Sequence, residues 1–271
     1  MGERIAFIGG GNMATAIMGG MVRHGVPVAL LDVVEPLADA RARLHTDLGV
    51  QTHASAGPFL DQAGVVVWAV KPQSFRDAAV AVAPHTTNAL HVSVAAGIRS
   101  DSIAQWLANE RVVRTMPNTP ALIGKGMTAL FARPAVTAKD RTQVEQIIAS
   151  TGEWLWVPSE PQLDAVTALS GSGPAYMFYL MEAMTAAGAE MGLAPEDAYR
   201  LAVATFIGAG ELAKASPETP EVLRQRVTSK GGTTYAAISA MDKGGLKTIF
   251  SKALHAAHQR AKAMGDEFGA A

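Results

Sequence analysis

The sequence predicts an α/β fold, an N-terminal Rossmann doubly wound sheet followed by an all-helical dimerisation domain, and three observations carry this reading. The chain opens on a short apolar run, Ile5-Ala6-Phe7-Ile8, that breaks into Gly9-Gly10-Gly11, as a buried strand does when it turns sharply into a helix. Apolar strand-like runs then alternate with helical stretches to about residue 160, the pattern of parallel βαβ units. Past Pro158 the strand pattern ends and long helical patterns take over, some of them apolar around most of their circumference. The expected domains are therefore 1–160 and 161–271.

The first turn has the spacing Gly9-x-Gly11-x-x-Ala14, which matches the dinucleotide-binding fingerprint. Gly9 permits the turn, Gly11 lets backbone approach a pyrophosphate, and Ala14 lets the helix pack on the strand. Asn12 and Met13 then open a helix whose N-terminal N–H groups face the phosphates. A glycine-rich turn without a ligand is the plainer alternative; the strand just before it and an acid some twenty residues later favour the nucleotide. The helix runs Asn12–Arg23 and closes at Gly25. Residues 28–31 read as the second strand, and Asp32 stands where such folds place an acid for the ribose hydroxyls, or else caps the next helix. A helix over 36–48 follows, then a short segment with a helical turn near Pro58.

Residues 64–70 form the clearest later strand, apolar on both faces and ending in Lys71-Pro72. Strand ends at the carboxyl edge of such a sheet line the ligand crevice, so Ala69, Val70, Lys71 and Pro72 are expected against the cofactor, with Lys71 either catalytic or structural. Residues 90–94 give the next strand and run into Ala95-Ala96-Gly97, another small-residue turn at the crevice. Val112–Met116 leads to Pro117-Asn118-Thr119-Pro120, a stiff extended loop that either holds Asn118 against a ligand or simply connects elements. A strand over 127–132, a helix over 139–150 and a strand over 153–157 complete the first domain. In the second, helices over 174–191 and Pro195–Ala215 have more apolar surface than so small a domain covers, which points to a dimer.

Composition narrows the function. The 271 residues carry a formal net charge of -1, without the basic footprint of a nucleic-acid or anionic-membrane partner. There is no cysteine, so disulfides, thiolate metal sites and cysteine nucleophiles are excluded. A strand begins within a few residues of the N-terminus, and Glu182 interrupts the apolar stretch that starts at Ala175 well short of a membrane span. The expectation is a cytoplasmic protein acting on a small molecule, with no metal.

Two loops of the helical part stand apart from packing logic. Ser170-Gly171-Ser172-Gly173-Pro174-Ala175-Tyr176 precedes a long helix and reads either as a cap or as an anion site. Thr228-Ser229-Lys230-Gly231-Gly232-Thr233-Thr234 joins two helices with glycines among hydroxyls, either a linker or a backbone nest suited to a carboxylate. Taken in order, the Gly-Gly-Gly-Asn-Met-Ala turn, Ala69-Val70-Lys71-Pro72, Met116-Pro117-Asn118-Thr119-Pro120 and these two loops closely resemble pyrroline-5-carboxylate reductase over essentially the whole chain. The resemblance implies reduction of 1-pyrroline-5-carboxylate to L-proline by NADPH or NADH, the last step of proline biosynthesis. It also implies an interleaved homodimer, with dimers often joined into a ring. Gly9, Gly11, Asn12, Met13, Asp32, Ala69, Val70, Lys71, Pro72, Ala95, Gly97 and Asn118 are then expected at the cofactor. Ser229, Lys230, Gly231, Gly232, Thr233, Thr234 and Ser172 are expected at the substrate, with Thr234 near the ring nitrogen and Thr234 and Ser229 as the catalytic pair.

Hydride transfer to an imine needs orientation and charge stabilisation more than a strong acid, in keeping with a site of hydroxyls and N–H groups. The beta-hydroxyacid dehydrogenases share the two-domain plan, but their catalytic lysine and asparagine would fall at Met177 and Met181, which cannot shuttle a proton. A non-catalytic dinucleotide-sensing protein would keep the first turn without needing the hydroxyl-rich loop. NADPH-selective relatives usually carry Arg, Ser or Lys after the second strand, whereas here Asp32 and Glu35 would repel a 2'-phosphate. NADH is therefore expected to serve at least as well as NADPH; Arg41 and Arg43, one to two helical turns on, could reach back if the helix is favourably oriented, which weakens this expectation without reversing it.

Overall fold

A computed structural model describes residues 3–269, and the chain divides into two compact units, one formed by the residues up to Ser172 together with those from Ala257 onward, the other by Gly173–Ala256. In the first unit β1 (Arg4–Ile8), β2 (Leu31–Val34), β3 (Gln51–His53), β4 (Ala63–Trp68), β5 (Leu90–Ser93), β6 (Val112–Met116), β7 (Gly126–Ala132) and β8 (Gly152–Trp156) make one sheet in the order β3-β2-β1-β4-β5-β6-β7-β8. Every neighbouring pair is parallel except β6 and β7. The helices α1 (Asn12–Arg23), α2 (Ala38–Leu48), α3 (Pro72–Val82), α4 (Ser100–Leu107) and α5 (Ala138–Ile148) form the crossovers.

The period of two along each strand sends alternate side chains to two cores. Ile5, Phe7, Val65 and Val67 face α1 and α5, where Ile17, Met18, Met21, Val144 and Ile147 meet them. Ala6, Ile8, Val66 and Trp68 face Phe75 and Val82 of α3 and Ile103 and Leu107 of α4. Glycine permits one tight contact on the first side: a Cβ on Gly20 of α1 would lie 2.4 Å from the carbonyl oxygen of Ser150. On the second side, Glu160 accepts the N–H of Ser100 at 2.6 Å and the guanidinium of Arg114 at 3.0 Å, capping α4 and partnering a buried cation at once.

Two sequence expectations need correction, and the structure adds elements that the sequence did not single out. Residues 28–30 form a 3₁₀ turn after Pro27, so the second strand is Leu31–Val34 and Asp32 lies inside it, paired with Ala6 and Gln51. The strand β3 and the helices α3 and α4, not singled out from the sequence, are present. The loop after Met116 is not extended throughout, because a 3₁₀ turn over Thr119–Ile123 takes Pro120 in its first positions, where no N–H bond is lost. A short α6 (Gln162–Val166) runs into a π-turn, Thr167–Gly171, closed by the Ser172 N–H on the Thr167 carbonyl at 2.9 Å.

The second unit holds α7 (Gly173–Glu190), α8 (Pro195–Ala215), α9 (Pro220–Arg226), α10 (Thr233–Lys243) and the first part of α11 (Leu246–Gly269). The helices α7 and α8 approach closely at Gly188, where a Cβ would stand 2.8 Å from that of Ala198. Tyr176 meets Phe250 edge to face at 5.9 Å. Much apolar surface is left open, including Phe178, Tyr179, Leu201, Ile207 and Ile249, and a groove between α7 and α8 is lined by Phe178, Met181, Thr185, Ala189, Pro195 and Tyr199. Among the described residues, no helix is long and apolar enough to cross a membrane.

One buried polar pair makes the first unit sensitive to acid. The Trp68 indole N–H donates to Nδ1 of His91 at 3.1 Å, so the proton of the neutral ring sits on Nε2 and points at the Thr86 carbonyl 3.3 Å away. Burial lowers the pKa of His91 from its usual 6.5 to about 4. The unfolded chain takes up this proton near 6.5 and the folded protein only near 4, so the stabilisation is whole above the first value and lost as pH falls towards the second. Denaturant unfolding followed between those two pH values should lose about 3 kcal/mol from this group, and His91→Asn should flatten that slope. An unchanged slope in the variant would assign the acid sensitivity elsewhere.

Candidate functional site

The strand order reverses between β1 and β4, and the crevice beyond their carboxyl ends is where doubly wound folds take ligands. Gly9, at φ +94°, donates its N–H to the Val34 carbonyl at 2.8 Å, while the Ala69 N–H reaches the Ile8 carbonyl at 2.8 Å. The turn is thus fastened to the ends of β2 and β4. A Cβ on Gly9 would lie 2.7 Å from the Ala69 carbonyl oxygen, whereas one on Gly11 would meet nothing within 4 Å. Gly11 caps α1 in extended backbone without a side-chain bond, and the first turn of α1 holds no acid. Asn12 is exposed there and Met13 half-buried. An open, uncapped, acid-free helix end fits the pyrophosphate of a dinucleotide.

Asp32 does not take part. Asp32 is 4% exposed, and its carboxylate is bound by Arg4 at 2.7 Å and His53 at 3.1 Å, so the expected contact with the ribose is withdrawn. The acid at the end of β2 is Glu35. Its N–H pairs with the His53 carbonyl at 2.8 Å, and its carboxylate accepts the N–H of Gly10 at 2.9 Å and that of Leu37 at 2.9 Å. The signal in the sequence was the Glu35-Pro36 step, since proline holds the residue before it in extended backbone and marks a strand end.

The remaining expected cofactor residues gather on the same sheet edge. Ala69 and Val70 follow β4, exposed Lys71 caps α3, and Pro72 starts that helix. Ala95 is buried behind β5, and Gly97, at φ +77°, is covered on its Cβ side by Met264, which a Cβ would approach to 3.0 Å. Asn118 serves the protein itself. Its Oδ1 accepts the Met127 N–H at 2.9 Å, and its Nδ2 donates to the Ser170 carbonyl at 3.3 Å and hydroxyl at 3.2 Å. The amide therefore holds the π-turn that ends beside Ser172, which corrects the expectation that it faces the cofactor.

In the second unit, Ser229 to Gly232 form a turn closed by the Gly232 N–H on the Ser229 carbonyl at 3.0 Å, with Gly231 at φ +76°. A Cβ on Gly232 would stand 2.7 Å from the Ser229 hydroxyl, and one on Gly231 would meet nothing within 4 Å. Gly232 caps α10 with no side-chain bond, so Thr233 and Thr234 begin a helix with its N–H end free of a side-chain partner. Ser229, Lys230, Gly231 and Thr233 are exposed and Thr234 half-buried.

Comparison with known proteins follows this division. A family model described as "Pyrroline-5-carboxylate reductase dimerisation" matches residues 160–264, and one described as "NADP oxidoreductase coenzyme F420-dependent" matches residues 4–97. A pyrroline-5-carboxylate reductase of Pseudomonas aeruginosa is 44% identical over 268 residues, covering 98% of each chain. The solved pyrroline-5-carboxylate reductase of Coxiella burnetii superposes with a TM-score of 0.90 at 38% identity, over 97% of this chain and 98% of that one. That of Plasmodium falciparum, solved with NADP bound, gives 0.87 at 26% identity over 97% and 98%.

Removal of the Asn118 amide leaves the Met127 N–H and the Ser170 groups without their partner. Asn118→Ala should therefore lower stability by about 1 to 3 kcal/mol and leave the affinity for nicotinamide dinucleotide close to that of the unaltered protein. Calorimetric titration checks the second half, and a large loss of dinucleotide affinity in a folded variant would restore the direct contact.

Proposed function

The chain belongs to the pyrroline-5-carboxylate reductase family, and on that premise we propose which of its residues perform the reaction. It is an oxidoreductase that reduces 1-pyrroline-5-carboxylate to L-proline, the last step of proline biosynthesis, with NADPH or NADH. The observation that carries the assignment of residues is the α10 N-terminus, which opens on the Ser229 to Gly232 turn without any side-chain cap. Such an end suits a carboxylate.

In this reading the N–H groups of Gly231 and Thr233 hold the substrate carboxylate, with the Gly232 N–H spent on closing the turn, and Lys230 and Ser229 add charge and hydroxyl contacts. The Thr234 hydroxyl bonds the ring nitrogen. A hydroxyl is too weak an acid to be the only proton source, so the residue orients a protonated imine and stabilises the amine that forms. When bound, the nicotinamide supplies the hydride. Gly9, Gly11, Asn12 and Met13 hold its pyrophosphate, and the backbone of Ala69 to Pro72 and of Ala95 to Gly97 lines the crevice. Lys71, exposed at the strand end, adds positive charge beside the phosphates.

Thr234→Ala should lower turnover with the imine roughly ten- to a hundredfold, as loss of one hydrogen bond to the reacting centre does, while dinucleotide affinity stays near its original value. Unchanged turnover would remove Thr234 from the mechanism.

The chain forms a homodimer or higher oligomer, and the open apolar faces of α7, α8 and α11 are the surfaces we assign to it. A ring of dimers and a cytoplasmic location complete the proposal. Sedimentation at micromolar concentration should show at least a dimer; a stable monomer would refute the assigned surfaces.

A further inference from the structure

Beyond β2 the ribose end of the crevice holds two opposite charges with different attachments. Glu35 is locked in place by the N–H groups of Gly10 and Leu37, one on each carboxylate oxygen. Arg41, half-buried on the first turn of α2, reaches back and donates Nη1 to the backbone carbonyls of Glu35 at 2.8 Å and Pro36 at 2.7 Å. Among the described residues it pairs with no carboxylate. The guanidinium thus stands on the main chain of the residue whose carboxylate closes the glycine turn, with its other nitrogens uncommitted. Arg43, two positions on, is exposed and makes no such contact.

We propose that Glu35 and Arg41 together set the cofactor preference of this enzyme: Glu35 selects NADH, and Arg41 is a 2'-phosphate ligand already in position but overridden. The inference deepens the functional reading above and rests on it. A carboxylate at the end of the second strand accepts hydrogen bonds from free ribose hydroxyls and repels a phosphate on the same oxygen, whereas an arginine nearby accommodates that phosphate. Here both groups are present, and the better-anchored one is the anion. Its two backbone bonds keep Glu35 from swinging aside to admit the phosphate, because moving it would open the turn at Gly10 as well. Arg41 needs no rearrangement, because its bonds to the two carbonyls already hold it beside Glu35.

The charge can be removed without losing the shape. Glu35→Gln keeps an oxygen for a backbone N–H and takes away the repulsion, so it separates the electrostatic role from the structural one. Titration calorimetry with NADH and NADPH on the intact protein reads affinity without turnover. The unaltered protein should bind NADH at least about tenfold more tightly than NADPH, and Glu35→Gln should improve NADPH relative to NADH by about ten- to a hundredfold, the size expected for relief of like charges in contact. Adding Arg41→Ala to Glu35→Gln should return most of that gain for NADPH with a much smaller change for NADH, and Arg41→Lys in its place should retain part of it.

Equal or tighter binding of NADPH by the unaltered protein would overturn the proposal, as would a ratio unmoved by Glu35→Gln. An Arg41→Ala change that weakens both dinucleotides alike would show a merely structural arginine and overturn its part. Failure to reduce 1-pyrroline-5-carboxylate with either cofactor would instead refute the functional reading, and the binding ratios would still report on Glu35 and Arg41.

Discussion

The backbone crossing at Gly9 is the constraint on which the nucleotide half of the protein depends. Two hydrogen bonds of 2.8 Å tie the turn to the ends of β2 and β4, and the absence of a Cβ lets it lie against the Ala69 carbonyl. With the turn fixed, the Gly10 N–H points at Glu35 and α1 begins at a set place and angle. The same few atoms therefore close the sheet edge, aim the helix dipole and fix the acid at the ribose end. Under the proposed role of Glu35, fold and cofactor selection are joined there, since the same carboxylate is a hydrogen-bond acceptor for the turn. A neutral residue that cannot accept that bond would alter both together, while an amide separates them.

Most of the architecture was legible because buried parallel strands and amphipathic helices announce themselves by period. The second strand shows where that signal ends. Residues 28–34 read Val-Ala-Leu-Leu-Asp-Val-Val, an apolar run with one acid, and an acid in such a run is most simply placed at its end. In the structure Pro27 starts a 3₁₀ turn, the strand begins later, and Asp32 is buried within it. What makes this tolerable is a pair of partners 28 and 21 residues away, Arg4 and His53, since a buried carboxylate must be paired. Pairing at that distance leaves no mark in a local pattern. The motifs at Gly9 and at residues 229–234, by contrast, declare themselves through glycine spacing and concentrated hydroxyls.

The helical unit was legible as an incomplete one. Its helices α7 and α8 are apolar over too much of their surface for one copy to cover, and the structure leaves Phe178, Tyr179, Leu201 and Ile207 open, in a family whose matching segment is named for dimerisation. Composition alone reveals that deficit, since it needs only a count of apolar faces against neighbours. The pairing inside one copy was not readable, because the close approach at Gly188 and Ala198 depends on two small residues among many in alanine-rich helices.

The π-turn shows how a structural residue is mistaken for a ligand-binding one. A stiff loop presenting a polar amide looks like a ligand contact, and Asn118 has that look. Yet a π-turn is a strained widening of a helix, seldom kept without support, and this one is held at three points. Thr167 bonds back to the Leu163 carbonyl at 2.7 Å, Ser172 closes the wide turn at 2.9 Å, and Asn118 grips Ser170 through both its carbonyl and its hydroxyl. Gly171 supplies the room, since a Cβ there would come within 2.4 Å of the Met116 side chain. The loop after β6 therefore supplies both the amide and the wall that keep residues 167–172 in a conformation they would not hold alone, and its stiffness serves that restraint. A rigid loop in a functional region thus acts through what it positions, and both polar atoms of the Asn118 amide are engaged in that task.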